Sequence, residues 1–596
     1  MLVSGRGQSN KGRLFVARIK KIEIQNFRGI KSLEWYPSNG INCLIGHGDS
    51  GKSTLLDAID MCIGARRNIS FYDTDFFKLD VENPISITVT LGSLSDDLKN
   101  IDTYGDYLRG FDSKNKNIED EPRTDLETVL SVNLSVGADL DPIWSLFSER
   151  AQARGLSSNL KWADRVRLSP TRIGNISDYN LSWKKGSILN KLSDETADAS
   201  LELATAARSV RTEFGESAQK QLVKALDAVK STTDELGIPT GGDVKAMLDA
   251  HSISFSSGVI SLHDANGVPL KNLGVGSTRL LIAGLQRKAA ESSSVLLVDE
   301  FEYGLEPHRI IKFLDSLGAK EHKVQPPLQV FMTTHSPTAL RELSKEQLYI
   351  LRHDDDKHHC IYFGEKDDVQ GTIRRFPEAF LGSAILVCEG ASEVGVIRGL
   401  DQYRSKTTNS PSIHALGVCL VDAGGVDNIY KRALPLINAG YRVAVLRDDD
   451  KSPDEDAEES FTDKGGRIFS WQEGHSIEDA IFLSLPKEEI VEIVDYAIKI
   501  HGKKLIEDHF KTVSRKQFFI ADFDELFIRN KGTDEERLNA RKWISAASKT
   551  KSTPWFKNVS AMEYIGKEII EPDLDNPKLE FDRTIAAFFS WAENNA

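Results

Sequence analysis

Three groups of residues have types and spacings that could do chemistry. The first is Gly46-His47-Gly48-Asp49-Ser50-Gly51-Lys52-Ser53, continued by Thr54. Glycines so placed let backbone N–H groups curl around phosphate oxygens, Lys52 reaches β- and γ-phosphates, and the Ser53 hydroxyl suits Mg²⁺. The second is Asp299-Glu300, where Asp299 can enter the Mg²⁺ shell and Glu300 can polarise an attacking water. The third is Glu389-Gly390-Ala391-Ser392-Glu393 followed, later in the chain, by Asp448-Asp449-Asp450. In extended backbone Asp448 and Asp450 share one side and Asp449 faces away. Carboxylates gathered in this way repel unless cations lie between them, and hard oxygen donors without Cys or His select Mg²⁺ or Mn²⁺.

These groups need elements to hold them. Residues 41–45 read as a strand running into the glycine loop, and residues 53–61 as the helix after it. Residues 295–298 form a short apolar run, the mark of a buried strand ending at Asp299. Residues 384–387 and 442–447 are two further strands, which put Glu389 and Asp448 at strand ends. Residues 16–33 alternate as a strand ending at Arg28-Gly29, and residues 84–91 alternate again, while the signal from 93 to 169 is mixed. Residues 189–236 are helical and bounded by the breaker Gly237-Ile238-Pro239-Thr240-Gly241-Gly242, as a helical insertion would be. Residues 353–360 read as a charged hairpin turn, not a metal site, and residues 454–459 as an acidic loop.

A chain of 596 residues is too long for one core, so two large domains are expected. The net charge of -14 argues against a protein that coats nucleic acid, although a carboxylate site beside local basic patches is compatible with it. Five cysteines without CxxC spacing fit a reducing, cytoplasmic setting and exclude a zinc framework. The apolar runs are strand-length, so no membrane span is expected, and residues 1–13 read as a polar tail without a secretory core.

Around Asp299 further loops accumulate. Leu273-Gly274-Val275-Gly276-Ser277 looks like the signature loop of ABC ATPases, whose serine meets the γ-phosphate from a partner subunit. Gly304-Leu305-Glu306-Pro307 resembles the loop that follows the acidic strand end, and residues 329–337 place His335 as a γ-phosphate sensor. With the opening Ile22-Glu23-Ile24-Gln25-Asn26-Phe27-Arg28-Gly29-Ile30, the set resembles the RecF/SMC-like branch of ABC ATPases. Asp75 falls in the region of that branch's Q-loop, where no glutamine stands, and the branch's long coiled-coil arm is absent. The order Glu-Gly-x-x-Glu and then Asp-x-Asp resembles a Toprim domain, and Toprim after an ABC core resembles the OLD (overcoming lysogenization defect) family.

That resemblance implies an α/β fold. An ABC-type ATPase domain would span 1–375, with a helical dimerisation insert at about 170–250, and a Toprim domain with a Rossmann-like parallel sheet would span 376–596. It adds Gly424-Gly425, Ser476 and Glu478 to the carboxylate site, Glu478 as a metal ligand. Lys557 becomes the late basic residue that stabilises the transition state, with Lys549, Lys551 and Lys567 as alternatives. The implied activity is ATP-dependent endonuclease cleavage of nucleic acid, DNA foremost, in anti-phage defence. Asp448 would serve two ions, Glu389, Glu393 and Asp450 mainly one, and Glu478 the other; Glu389 is alternatively the general base. Partners would be nucleic acid, a second copy of the chain in at least a homodimer, and a protein or nucleic acid encoded nearby. Two other readings stand beside this one: a regulatory ATPase with a non-cleaving Toprim module, and a RecF/SMC-like repair ATPase.

Overall fold

In the computed structural model the described residues are 17–594, apart from 67, 175–177, 182–186, 193–204, 207, 210–212, 214–221, 236–261, 291–293, 322–325, 355, 365–366 and 473. Most of the expected helical insert lies outside them; a helix over Val223–Glu235 is described. The chain divides into two compact units. One comprises Met1–Leu44, Gly51–Leu343 and His353–Cys360, and the other Ile45–Ser50, Ser344–Arg352 and Ile361–Ala596. The second unit thus takes in residues 361–375, which the sequence reading placed in the first domain.

In the first unit, β1 (Arg18–Phe27) and β2 (Ile30–Trp35) form a hairpin about Arg28-Gly29. β1 also pairs with β4 (Ile85–Gly92). Beyond β4 the antiparallel run continues through β7 (Glu127–Val136) to β5 (Leu108–Asp112) and β6 (Asn117–Glu119), with β8 (Pro142–Phe147) also on β7. These last four strands occupy the stretch whose sequence signal was mixed. In β7 Val129, Leu130, Val132, Leu134 and Val136 are buried, but the equally buried Ser131 interrupts the apolar pattern.

A parallel run carries the first chemistry. β3 (Ile41–Ile45) pairs with β11 (Gln329–Thr333), β11 with β10 (Val295–Val298), and β10 with β9 (Thr171–Ile173). All residues of β3, β10 and β11 are buried, which is why β10 reads as an unbroken apolar run and β3 and β11 as largely apolar ones, not as alternation. Helix α1 (Lys52–Ile63) follows β3, and α2 (Val275–Lys288) precedes β10. Strand β9 falls inside the span expected to be helical insert, so the start of that insert is corrected: Thr171–Ile173 completes the sheet.

The second unit is built on four parallel strands in the order β15-β14-β16-β17: β14 (Ala384–Cys388), β15 (Val418–Asp422), β16 (Arg442–Arg447) and β17 (Arg467–Ser470). Helix α3 (Ala391–Thr407) leaves β14. The acidic stretch after Asp454 is a helix, α4 (Glu455–Asp463), not a loop. Asp454 caps it by accepting from the Ala457 amide at 3.1 Å, and acids in a first turn suit the positive helix end. Three more helices matter below: α5 (Ile477–Ser484), α6 (Asp534–Ser548) and α7 (Val559–Glu568). Glycine brings α3 close to α7, since a Cβ at Gly399 would stand 2.3 Å from the Glu563 carbonyl. Among the described residues no helix is long and apolar enough to cross a membrane.

Candidate functional site

The loop from Gly46 to Ser53 joins β3 to α1. Its turn needs glycine in two places: Gly46 has φ +146° with a would-be Cβ 2.8 Å from the Leu351 carbonyl, and Gly51 has φ +87°. Gly51 is the N-cap of α1, so the helix's unpaired amides open towards the loop, the usual arrangement for phosphate. Gly48 and Asp49 are exposed, Ser50 is buried, Lys52 is buried at the head of α1, and Thr54 is half-buried one residue beyond Ser53. Ser53 donates its hydroxyl to Asp299 Oδ1 at 3.0 Å, and Thr333 donates to the same oxygen at 2.7 Å. The hydroxyl and carboxylate that the sequence assigned to a Mg²⁺ ion are therefore adjacent, and both are hard donors of the kind that ion takes.

Glu300 is exposed at φ +41°, and its amide is tied to Thr333 Oγ1 at 2.7 Å. His335 is exposed, and its amide donates to Glu302 Oε1 at 2.6 Å while Thr334 donates to Glu302 Oε2 at 2.8 Å. Glu302 was not singled out from the sequence, because nothing in its spacing distinguishes it from other acids after a strand. Ser277 stands in the first turn of α2, where Arg309 donates to its hydroxyl at 2.9 Å. Gly276 is fixed by packing, since a Cβ there would stand 2.1 Å from the Gly304 carbonyl.

In the second unit Glu389 and Asp448 follow adjacent strands and meet. The Asp448 amide donates to Glu389 Oε2 at 3.0 Å, and the Glu389 amide to the Leu446 carbonyl at 2.9 Å. Asp448 Oδ1 in turn accepts from the Ile477 amide at 2.8 Å, at the head of α5. Glu393 Oε2 accepts from the Gly390 amide at 2.8 Å, and the Glu389 carbonyl accepts from Gly425 at 2.8 Å. Glu393 and Glu478 are 4% and 5% exposed, so both are shielded from bulk water. Asp449 forms an ion pair with Arg447 at 2.8 Å, and Asp450 is exposed.

Electrostatics couple these acids. Burial, with Glu393, Glu478 and Glu389 as like-charged neighbours, pushes the Asp448 carboxyl well above the carboxylate range despite the Ile477 amide. Burial also raises Glu393, helped by Glu478 and Glu389, and raises Glu389, helped by Asp450. Such a set of hard oxygens suits a divalent cation by its chemistry. Even so, among the described residues no three or more His, Cys, Asp or Glu side chains are grouped so that they could hold a metal ion as they stand. The two observations differ because like charges act on one another over longer distances than a metal's coordination shell spans.

Ser476 is the N-cap of α5, paired with Asp479 in a capping box: its hydroxyl lies 2.9 Å from Asp479 Oδ2. Lys549, just past the end of α6, reaches both, at 2.6 Å to Asp479 Oδ2 and 3.2 Å to Ser476 Oγ. Burial would raise Asp479, but Lys549, Ser545 and the Ser476 amide outweigh it and lower its pKa. Lys557 is exposed, just ahead of α7 and beyond the buried pair Trp555-Phe556. The lysine brought to the Ser476 turn is Lys549, which the sequence reading held only as an alternative.

The profile of one family, described as "AAA domain, putative AbiEii toxin, Type IV TA system", matches residues 41–341, just over half of the 596 residues. The chain belongs to this AAA family. The match takes in the glycine loop, Asp299 and His335, so the first site lies in an AAA ATPase domain. A 58-residue stretch, 10% of this chain, is 34% identical to the DNA replication and repair protein RecF of Chlorobium limicola. It spans 16% of that protein, about a sixth of its length. Among solved structures, an Smc head bound to the C-winged helix domain of ScpA is similar at 14% identity and TM-score 0.35, over 58% of this chain and 96% of that one. The Thermotoga maritima SMC head gives 13% and 0.28, over 58% and 98%.

Proposed function

We propose that this AAA protein binds and hydrolyses ATP and cuts nucleic-acid phosphodiester bonds, DNA foremost, with Mg²⁺ or Mn²⁺. It would act as an OLD-type endonuclease in anti-phage defence, its second unit being the Toprim domain. The observation that carries this reading is the meeting of Glu389 and Asp448 at neighbouring strand ends, 3.0 Å from amide to carboxylate. Ligands commonly bind at the carboxyl ends of such parallel strands, where the strand order switches.

Ser53 and Asp299 would hold the nucleotide's cation, the loop amides and Lys52 its phosphates, and Glu300 the attacking water. Glu302 holds the His335 amide. Ser277 would complete the site of a partner copy, which makes the active form at least a homodimer. In the second unit Asp448, Glu389, Glu393 and Glu478 would hold cations, with Asp450 at the exposed rim. Bound there, divalent cations supply Lewis-acid stabilisation of charge on phosphate oxygens and lower the pKa of water. Asp448 is oriented for this by the Ile477 amide, and Lys549 holds the Ser476–Asp479 turn that presents α5. Lys551 and Lys557, both exposed, would meet phosphates of the substrate.

The test is plasmid nicking by the purified chain with Mg²⁺, Mn²⁺ and ATP each added or withheld. Metal-dependent nicking supports the reading; none with any divalent metal contradicts it. A second reading has its own observation, the absence among the described residues of a ready metal-holding group. On that reading the chain is a regulatory or RecF/SMC-like ATPase whose second unit binds without cutting, and it would turn over ATP yet leave every plasmid intact.

A further inference from the structure

Arg172 belongs to no motif, yet it lies beside the Asp299 carboxylate. It sits in β9 opposite Leu297 of β10, and the Asp299 amide donates to the neighbouring Ile173 carbonyl at 3.3 Å. Its guanidinium faces three carboxylates. Nη2 stands 2.5 Å from Asp57 Oδ1 and 4.0 Å from Asp299 Oδ2, and Nη1 stands 3.3 Å from Asp60 Oδ2. Asp57 and Asp60 are three residues apart on α1 and so share a face of the helix that begins with Lys52 and Ser53. One planar fork thus ties the body of the phosphate-loop helix to the acid at the end of β10.

The anchors are held in turn. Asp57 also pairs with Arg28, which bonds Asp75 at 2.8 Å, and Asp60 also pairs with Arg66. On Asp299 the two oxygens are divided: Oδ1 takes the hydroxyls of Ser53 and Thr333, and Oδ2 faces Arg172. A cation arriving at Asp299 therefore meets a positive charge already beside that oxygen. Arg172 keeps Asp57 and Asp60 as partners whatever happens at Asp299, so it can yield without being stranded.

We propose that Arg172 is a positioning residue for ATP hydrolysis. It keeps Asp299 in register with Ser53 and weakens the grip of Asp299 on the nucleotide's divalent cation. This rests on the reading that Ser53 and Asp299 take that cation.

The experiment uses the full chain with a non-hydrolysable ATP analogue and follows Mn²⁺ binding by its electron paramagnetic resonance signal, alongside steady-state kcat and KM. Losing the positive charge that stands beside Asp299 Oδ2 should tighten Mn²⁺ by on the order of fivefold in Arg172→Met. The same variant should lose about tenfold in kcat with KM for ATP nearly unchanged. Arg172→Lys keeps the charge but not the fork, so its Mn²⁺ affinity stays at the wild-type value and kcat is intermediate. Mn²⁺ binding that is unchanged or weaker in Arg172→Met overturns the proposal, as does a lysine variant that binds Mn²⁺ as the methionine variant does. Should Arg172→Met not fold, Asp57→Asn tests the idea with the opposite sign. It frees the guanidinium towards Asp299, so Mn²⁺ binding should weaken, and an unchanged value overturns the proposal. A wild-type chain that binds no nucleotide with Mn²⁺ overturns the site reading and this inference together; normal wild-type binding with unmoved variants overturns the inference alone.

Discussion

The Asp448 amide donates to Glu389 Oε2 at 3.0 Å, although 59 residues separate the two in sequence. The contact follows from topology: β14 and β16 are parallel neighbours, in register from Ala384↔Arg442 to Cys388↔Leu446, so the residues that follow each strand emerge side by side. Buried acids placed in this way favour protonation or a cation, and the expectations below follow from that.

Stability without metal should depend on pH. Asp448 is pushed up to about 9 and Glu393 up to about 7, in both cases by burial first and like-charged neighbours next. A carboxyl raised in the fold binds its proton better folded than unfolded. Its contribution is present at low pH and is lost as pH climbs from the unfolded value of about 4 towards the folded one. The melting temperature in chelator-treated buffer should therefore fall as pH rises from about 4 to about 9, and Mg²⁺ or Mn²⁺ should restore it. A flat calorimetric profile would contradict this.

Asp448→Asn removes the charge and keeps the shape. At pH 8 without metal it should stabilise the second unit by roughly 1–3 kcal/mol, because the fold must keep protonated an acid that the unfolded chain ionises freely at that pH. Added Mn²⁺ should then raise its melting temperature less than it raises that of the wild type. Destabilisation in metal-free buffer would count against a cluster under like-charge repulsion.

Glu302→Ala should slow ATP turnover about tenfold while leaving ATP binding in place. Its two oxygens hold the His335 amide and the Thr334 hydroxyl. Equilibrium binding of a fluorescent ATP analogue beside steady-state turnover separates the effects. Loss of both together would assign Glu302 to the fold alone.

Lys549→Ala should reduce cleavage about tenfold or more, because it removes the cation from Asp479 at the head of α5, whereas Lys557→Ala should change it by less than about threefold. The ratio of the two nicking rates is the readout. Equal losses would return Lys557 to the role of the late basic residue.

Much of the site was legible because its signals are local. The strand-loop-helix around Lys52 and the apolar runs ending at Asp299, Glu389 and Asp448 each declare themselves within about a dozen residues. What was missed is set by packing between distant segments. Lys549 and Lys557 look alike in sequence, and only the end of α6 decides which one reaches Asp479. Glu302 and Arg172 have ordinary neighbours, and their roles appear only when β10 lies between β11 and β9. The acidic run after Asp454 looked like a loop because charge hid its helix, whose Glu458 answers Arg447 at 3.2 Å. Strands β5 to β8 were obscured by polar residues such as Asn133, which bonds Ser86 and Thr88 across the sheet.

On the proposed reading one chain carries two separable chemistries, and one paired measurement reaches both. Plasmid nicking and ATP turnover are followed in the same Mn²⁺-containing reactions for wild type, Asp448→Ala and Lys52→Ala. Asp448→Ala should hydrolyse ATP at close to the wild-type rate and leave the plasmid supercoiled, while Lys52→Ala should lose ATP turnover. Nicking by Asp448→Ala at the wild-type rate would contradict that reading.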